Sequence, residues 1–217
     1  MTSPVVLVTG VTTTLGRAIV RRLAFAGYNV AAAGQCATTV NEITLDNRKV
    51  GGNVLGFAVN LAKDSDRAEL LSRVVTELGS LDSLIVVPPD NNVHGDIIET
   101  TSTQFDTMFD DRLTIPFKLT KAALPMLMKS KIVLCCINFR ARTDKKCGCM
   151  VSGDGSGALW DSKKSDKAVN QLESMIPIGR LGRPSDAASL VQFLISPKAR
   201  YITGENCVLN GGVSFRF

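Results

Sequence analysis

The sequence is poor in several of the side chains that most often carry enzyme chemistry. Its 217 residues include one histidine, one tryptophan and two tyrosines. No apolar run approaches the roughly 18 residues that a membrane-crossing helix needs, so no membrane partner is expected. The first residues, MTSP, lead directly into a strand-like run, so neither a signal peptide nor a transit peptide is expected. These absences favour a cytoplasmic protein, or one in an organelle that imports folded proteins.

The cysteines do not form a recognisable metal-binding pattern. Cys147 and Cys149 flank a glycine, as in some metal and redox sites, but the only histidine, His94, is distant in the sequence. A structural zinc site needs about four ligands at organised spacing. Cys135 and Cys136 lie in the apolar run IVLCCI, where cysteine behaves as a small hydrophobic residue. We therefore expect reduced, structural thiols and no bound metal.

The charge of the chain is only mildly positive. Lysine and arginine number 25 against 20 acidic residues, which gives a net charge of +5. The excess is spread along the chain and favours solubility more than nucleic-acid binding. Within the densest basic stretch, residues 140–167, Trp160 is the only aromatic residue, so the stretch lacks the stacking platform that single-stranded nucleic acids use. No nucleic-acid partner is expected.

Short apolar runs alternate with amphipathic stretches along most of the chain. This alternation predicts a doubly wound, mostly parallel α/β sheet in one domain, residues 1–217. Strands are predicted at residues 5–8, 29–33, 54–59, 84–87, 132–137 and 206–209. Helices are predicted at residues 15–25, 64–78, 103–129, 167–175 and 187–195, the third with bends near Pro116 and Pro125. Residues 140–165, rich in glycine, serine and lysine, show no regular period.

A glycine-containing turn joins the first strand to the first helix, in the run VLVTGVTTTLGRAIVRRLA. Such a turn places backbone N–H groups and a helix N-terminus against a pyrophosphate. The candidate ligand-binding residues in this turn are Gly10, Thr13, Thr14, Leu15 and Gly16. A partial glycine loop is by itself a weak signal.

This turn resembles the T-G-x-x-x-G-x-G loop of the short-chain dehydrogenases/reductases. LGSLDSLIVV resembles the strand before their N-N-A-G motif, TKAALPML their long fifth helix, and the run from IPIGRLG to VLNGG their C-terminal signature. The resemblance covers about residues 5–142 and 157–217, and YITGEN and ALWDSKK are most similar to the family's peroxisomal carbonyl and retinal reductases. It implies a Rossmann-type fold and NADP(H)-dependent reduction of carbonyl compounds.

The resemblance also implies a set of four catalytic residues that this sequence lacks. In the family a tyrosine donates the proton, a lysine lowers its pKa, a serine hydrogen-bonds the carbonyl oxygen and an asparagine anchors a water relay. The asparagine position holds Arg112 and the serine position holds Ile137, while the Y-x-x-x-K motif should begin in the run MVSGD at residues 150–154. Neither Tyr28 nor Tyr201 has a lysine four residues later. No catalytic residue is therefore assigned.

A shifted alignment does not restore the catalytic set. Placing Ser152 and Ser156 at the tyrosine and lysine positions keeps the spacing but provides neither a suitable acid nor a cation. After Asp154 the chain passes to the loop that follows the next helix and strand in the family. We therefore expect that one strand-helix unit of roughly 30 residues is absent after the fifth strand.

The implied cofactor is NADP(H), and the expected binding is weak. Thr14 replaces the middle glycine, and its β-branched side chain would crowd a pyrophosphate. Two interpretations stay open: a closed turn packed by threonine methyl groups, which we favour, or an anion site made by the hydroxyls of residues 12–14. Gln35 stands where NADP-binding relatives often carry arginine, and no acidic residue follows the second strand, which disfavours NAD.

Of two further loops in the implied cofactor site, the first keeps a candidate contact residue and the second departs from the family motif. Asn60, with the adjacent Leu61, is a candidate for contacts to the adenine edge. At the N-N-A-G position the chain reads VVPP, and Pro88 and Pro89 remove two N–H donors.

The sequence leaves two main functional hypotheses. The first is a residual NADP(H)-dependent carbonyl reductase. The second, which the missing residues favour, is a non-catalytic relative: a binding or assembly module, or a decayed or aberrantly spliced product. Such a module would assemble with itself or with related subunits through the C-terminal helix and strand. The ending Phe215-Arg216-Phe217 departs from the peroxisomal tripeptide S-R-L, so peroxisomal import is not expected.

Overall fold

The computed structural model describes residues 3–47, 53–89, 100–130, 133–136, 173–174 and 176–212. Within them five parallel strands form one sheet in the order β3-β2-β1-β4-β5. The strands are β1 (Val5–Val8), β2 (Asn29–Gly34), β3 (Val54–Ala58), β4 (Ser83–Val86) and β5 (Val133–Cys136). The predicted α/β fold is confirmed, with each of these strands close to its predicted position.

In the same described residues, six complete α-helices connect or follow these strands. They are α1 (Thr14–Phe25), α2 (Ala37–Asn47), α3 (Asp64–Leu78), α4 (Ser102–Phe109), α5 (Ile115–Leu127) and α6 (Pro184–Leu194). A π turn, Asp110–Thr114, joins α4 to α5, and 3₁₀ turns follow at Met128–Ser130 and Pro197–Ala199. Pro116 lies in the first turn of α5, directly after the π turn, and Pro125 lies inside α5.

Helices cover both faces of the sheet, and β1 shows how the sequence produces this. All four β1 residues are buried. Val6 and Val8 pack in one core cluster with residues of α1, α2 and α6, whereas Val5 and Leu7 pack in the other with residues of α3 and α5. Because successive strand residues point to opposite faces, a short run without polar residues is what a central parallel strand requires.

Helix α2 was not predicted. Its residues include several β-branched side chains, which lower intrinsic helix propensity. Tertiary packing stabilises it instead: Val40 and Ile43 are buried, and Gly56 in β3 lets α2 approach closely, since a Cβ there would lie 2.6 Å from Val40. The spacing of Val40 and Ile43 was the available signal, and two residues are too few to identify a helix.

The prediction of a last strand at residues 206–209 is wrong. These residues have no strand structure, and in the described part of the chain β5 pairs only with β4. A strand requires a hydrogen-bonded neighbour, and none is described beside this segment. The irregular stretch at 140–165 lies outside the described residues, as does the helix predicted at 167–175 apart from the helical Glu173 and Ser174.

No helix in the described ranges is both long enough and apolar enough to span a bilayer. The cytoplasmic location and the single-domain organisation stay predictions. Cys147 and Cys149, the basic stretch that contains Trp160, and the C-terminal Phe215-Arg216-Phe217 lie outside the described residues.

Candidate functional site

The candidate binding residues lie at one edge of the sheet. All strands are parallel, so the loops that follow β1, β2, β3 and β4 meet at the edge where the strands end. The loop after β1 contains Gly10 and leads into α1, Gln35 follows β2, and Asn60 and Leu61 follow β3. A hydrogen bond of 2.9 Å from the N–H of Val59 to the carbonyl oxygen of Gly34 joins the loop after β3 to the last residue of β2. The structure therefore brings the predicted residues together.

The two glycines of the first turn permit close backbone packing. Gly10 has a φ of 66°, and a Cβ on it would lie 2.2 Å from the carbonyl oxygen of Val87. A Cβ on Gly16 would lie 2.3 Å from the carbonyl oxygen of Gly10. The turn, the start of α1 and the loop after β4 thus fit together only without side chains at these two positions.

Thr13 caps the N-terminus of α1 with its side chain. Its hydroxyl donates to the carbonyl oxygen of Gly10 at 2.8 Å and accepts from the N–H of Gly16 at 3.0 Å. Thr13 is 4% exposed, so its hydroxyl is committed within the turn. This geometry favours the closed turn over an anion site built from threonine hydroxyls.

The other two candidates of this turn contribute differently. The side chain of Leu15 is 5% exposed and belongs to the hydrophobic core, which leaves only its backbone to contact a ligand. Thr14 is half-buried at the first position of α1. A ligand bound at the helix N-terminus would have to come close to this position, where the β-branched side chain of Thr14 takes up space.

The residues after β2 are exposed and contain a feature that the sequence analysis missed. Gln35 and Cys36 are both exposed, and Cys36 immediately precedes α2. Hydrogen bonds from the hydroxyls of Thr38 and Thr39, together with the backbone of Thr39, lower the pKa of Cys36 to about 7. The thiol sulfur lies 3.0 Å from Oγ1 of Thr38. The signal in the sequence was a cysteine followed by two threonines, but its meaning depends on recognising α2 as a helix.

The loop after β3 is held in place by hydrogen bonds. The N–H of Asn60 donates to Asp66 at 3.3 Å, and Oδ1 of Asn60 accepts from the N–H of Ala62 at 3.0 Å. The buried Arg67 donates to the carbonyl oxygen of Leu61. Because Oδ1 is engaged, the group that the Asn60 side chain offers to a ligand is the Nδ2 donor.

The loop after β4 presents few donors to the site. Val87 and Pro88 are buried and Pro89 is exposed. Proline has no backbone N–H, so this segment offers less hydrogen bonding than a loop of non-proline residues.

The structure places neither tyrosine at the candidate site. Tyr28 immediately precedes β2, at the opposite edge of the sheet, and burial raises its pKa. Tyr201 follows the last 3₁₀ turn and is 98% exposed.

The remaining positions of the implied catalytic set are only partly described. Arg112 lies half-buried in the π turn between α4 and α5. Desolvation raises the pKa of the neighbouring Asp111, with a further increase from Asp110 and a decrease from Arg112. Ile137, Ser152 and Ser156 lie outside the described residues.

Two protein-family models match the chain. The model of the short chain dehydrogenases matches residues 4–136, and a model described as enoyl-(acyl carrier protein) reductase matches residues 156–214. The resemblance inferred from the sequence motifs is confirmed. Between the two matches, residues 137–155 correspond to neither model.

Curated relatives are similar over nearly the whole chain. Human dehydrogenase/reductase SDR family member 4 is 28% identical over 251 aligned positions, which cover 100% of this chain and 89% of the relative. The 3-oxoacyl-[acyl-carrier-protein] reductase FabG of Staphylococcus epidermidis is 27% identical over 95% of this chain and 97% of the relative. Since this chain has 217 residues, the alignment with the human relative contains about 34 positions that the chain lacks.

Solved structures share the fold at low sequence identity. An actinorhodin polyketide ketoreductase determined with NADPH has a TM-score of 0.85 at 21% identity and covers 97% of each chain. YwfH, an NADPH-dependent reductase involved in bacilysin biosynthesis, has a TM-score of 0.81 at 19% identity and covers 99% of this chain and 100% of its own.

Proposed function

Because the chain belongs to the short-chain dehydrogenase family, we propose that it is a non-catalytic member that retains a weak NADP(H) site and acts as a binding or assembly module. The observation that supports the loss of catalysis is the position of its two tyrosines. Tyr28 is at the opposite sheet edge and Tyr201 is 98% exposed. No other tyrosine exists in the sequence.

The chemical reason is the missing proton donor. A bound nicotinamide supplies hydride, but the alkoxide that forms needs a proton from a nearby acid whose pKa is tuned for the task. Loss of a general acid alone slows such a reaction by about 10²–10⁴. Arg112 lies in the π turn, at the position where the family resemblance implies the asparagine of the water relay.

The retained features of the nucleotide site argue for weak binding and not for its complete loss. The sheet edge, the N-terminus of α1 and the close packing at Gly10 and Gly16 are all present. Against tight binding, Thr13 is engaged as a cap, and the exposed Gln35 carries no charge for a ribose phosphate. One structural neighbour was determined with NADPH and another is an NADPH-dependent reductase, which makes NADP(H) the proposed nucleotide.

A titration of NADPH followed by its fluorescence, and then addition of a reactive diketone, tests this proposal. Saturable binding without turnover is the expected result. Turnover of the diketone would contradict the loss of catalysis, and a flat titration would contradict the nucleotide site.

A residual carbonyl reductase is the second candidate, because the relatives are named as reductases. It predicts turnover in the same experiment.

A cytoplasmic location and assembly through the C-terminal surface are further parts of the proposal. On that surface α6 contributes the exposed Phe193, but the strand expected beside it is not formed.

A further inference from the structure

The loop after β3 is held in one conformation by the first turn of α3. The N–H of Asn60 donates to Oδ2 of Asp66 at 3.3 Å. Arg67, which is 4% exposed, donates from Nη1 to the carbonyl oxygen of Leu61. Within the loop, the N–H of Lys63 donates to the carbonyl oxygen of Asn60 at 3.0 Å. The polar groups of this loop are therefore oriented before a ligand binds, which lowers the entropy cost of binding.

The buried guanidinium of Arg67 is fixed by a second contact. It forms an ion pair with Asp64, one turn earlier in α3. Nζ of Lys118 in α5 lies 3.9 Å from the same carboxylate, so Asp64 also connects the start of α3 to α5. A buried charge that keeps its partner stays in place, because leaving it unpaired would be costly. Arg67 thus keeps the carbonyl oxygen of Leu61 occupied.

The orientation of the Asn60 amide is determined by its neighbour. Its Oδ1 atom accepts from the N–H of Ala62 at 3.0 Å. A backbone N–H can only donate, so the amide atom that it contacts is the oxygen and not the nitrogen. The group of this half-buried side chain that stays available is therefore the Nδ2 donor.

The acceptors of Asn60 and Leu61 are all engaged. Ala62 donates to the side-chain oxygen of Asn60, Lys63 to its carbonyl oxygen, and Arg67 to the carbonyl oxygen of Leu61. These two residues consequently have little capacity to accept a hydrogen bond from a ligand.

The nearest carboxylate is engaged as well. Oδ2 of Asp66 accepts from the N–H of Asn60, and Oδ1 accepts from the hydroxyl of Ser65 at 3.0 Å. The carboxylate of Asp66 is therefore used to hold the loop and the start of α3.

The donors of the same two residues are free. Among the described residues, no hydrogen bond engages Nδ2 of Asn60 or the N–H of Leu61. Both residues are half-buried, and the side chain of Leu61 packs against the core cluster that contains Phe57. Two consecutive residues at the sheet edge thus offer two donors and no open acceptor.

This pattern distinguishes two kinds of purine base. Adenine presents an amino group, which donates, beside a ring nitrogen, which accepts. A purine with an oxygen at position 6 presents that oxygen beside N7, so it offers two adjacent acceptors. Two protein donors match the second arrangement, whereas the amino group of adenine would face a donor and leave it unsatisfied.

We propose that the loop after β3 selects a 6-oxopurine base, such as hypoxanthine, over adenine. Nδ2 of Asn60 and the N–H of Leu61 donate to O6 and N7 of the base. This inference rests on the proposed nucleotide site at this sheet edge and names the class of base that the site prefers. It also gives a further reason why NADP(H), whose base is adenine, binds weakly.

Fluorescence titration with NADPH and with its deamino analogue tests the proposal. The analogue carries hypoxanthine in place of adenine, and the two nucleotides have the same charge and the same nicotinamide. The wild-type protein is expected to bind the deamino analogue about tenfold more tightly. Equal affinities, or tighter binding of NADPH, would overturn the proposal and leave the nucleotide site intact. A flat titration with both nucleotides would contradict the nucleotide site, and this inference with it.

Asn60→Asp should invert the preference. The substitution replaces the Nδ2 donor with an oxygen that accepts from the amino group of adenine, while the other oxygen still accepts from Ala62. NADPH should then bind about tenfold more tightly than the deamino analogue. Because both nucleotides meet the same added charge, the ratio of their dissociation constants reports the base contact alone.

Asn53→Asp is the matched control. Asn53 is exposed directly before β3, at the opposite edge of the sheet, so the same change in charge should leave the wild-type ratio unchanged. Circular dichroism confirms that both variants are folded. A folded Asn60→Asp protein that keeps the wild-type ratio would overturn the assignment of the base contact to Asn60.

Discussion

A Cβ atom on Gly10 would lie 2.2 Å from the carbonyl oxygen of Val87, so the turn after β1 and the loop after β4 are in backbone contact at this point. The same turn holds Gly16 against the carbonyl oxygen of Gly10. Both glycines are thus required by the packing of the sheet edge itself. Their presence alone does not show that a nucleotide binds there.

Gly10→Ala should destabilise the protein strongly. The new side chain would meet backbone atoms and would also force alanine into a left-handed conformation, at a total cost of about 2–4 kcal/mol. Gly27→Ala is the matched control, because Gly27 has a φ of 84° but nothing within 4 Å of an added Cβ. It should cost about 1 kcal/mol. Urea unfolding measures the free energy of unfolding of both variants. Equal decreases in the two variants would show that the contact with Val87 does not contribute to stability.

Removal of the α1 cap should affect stability more than ligand binding. Thr13→Ala deletes the hydroxyl that accepts from Gly16, and the expected loss is about 1 kcal/mol in the free energy of unfolding. Thr13→Ser keeps the oxygen and should recover most of the loss. If Thr13→Ala instead weakened NADPH binding and left stability unchanged, the hydroxyl would be a ligand and the closed-turn interpretation would be wrong.

Thr14→Gly should strengthen NADPH binding. The substitution removes the β-branched side chain at the start of α1 and opens the approach to the helix N-terminus. Thr12→Gly, in the same turn but outside the helix, serves as the control and should have little effect. Fluorescence titration compares the two dissociation constants, and an unchanged value for Thr14→Gly would mean that Thr14 is not what limits binding.

Cys36 should react with iodoacetamide at lower pH than an ordinary thiol. Because its pKa is lowered to about 7, the reactive thiolate is expected to be half-formed near neutral pH and to increase above it. Thr38→Val removes the main stabilising hydroxyl and should move the midpoint upward. Peptide mass spectrometry distinguishes Cys36 from the other cysteines. A midpoint that does not move in Thr38→Val would contradict the assigned cause.

The central strands were predictable because their burial leaves a clear pattern. Val5–Val8 consists only of apolar residues, as required for a strand covered on both faces. The same holds for α1, where Leu15, Ile19 and Leu23 recur at helical spacing and are buried. Elements that are stabilised mainly by contacts with other elements were harder to predict from the sequence. Helix α2 depends on the space that Gly56 leaves for Val40, and no local pattern records that contact.

Less could be predicted from the sequence about the candidate site than about the fold. The sequence predicted Gly10, Gly16 and Asn60 as site residues, and this stays a prediction. It did not indicate that the hydroxyl of Thr13 is used as a cap or that Oδ1 of Asn60 accepts from the N–H of Ala62. Both facts depend on the conformation of a loop. The expected strand at residues 206–209 failed for a related reason, because pairing depends on a neighbour and not on the segment alone.

We propose that no tyrosine of this chain can deliver a proton at the sheet edge where a nicotinamide would bind. The most direct test is the simultaneous measurement of NADPH consumption and alcohol formation from a diketone, for the wild type and for Tyr28→Phe/Tyr201→Phe. We predict that both proteins give the rate of the protein-free control. Alcohol formed in step with NADPH loss by the wild type, and abolished in the double variant, would contradict the account.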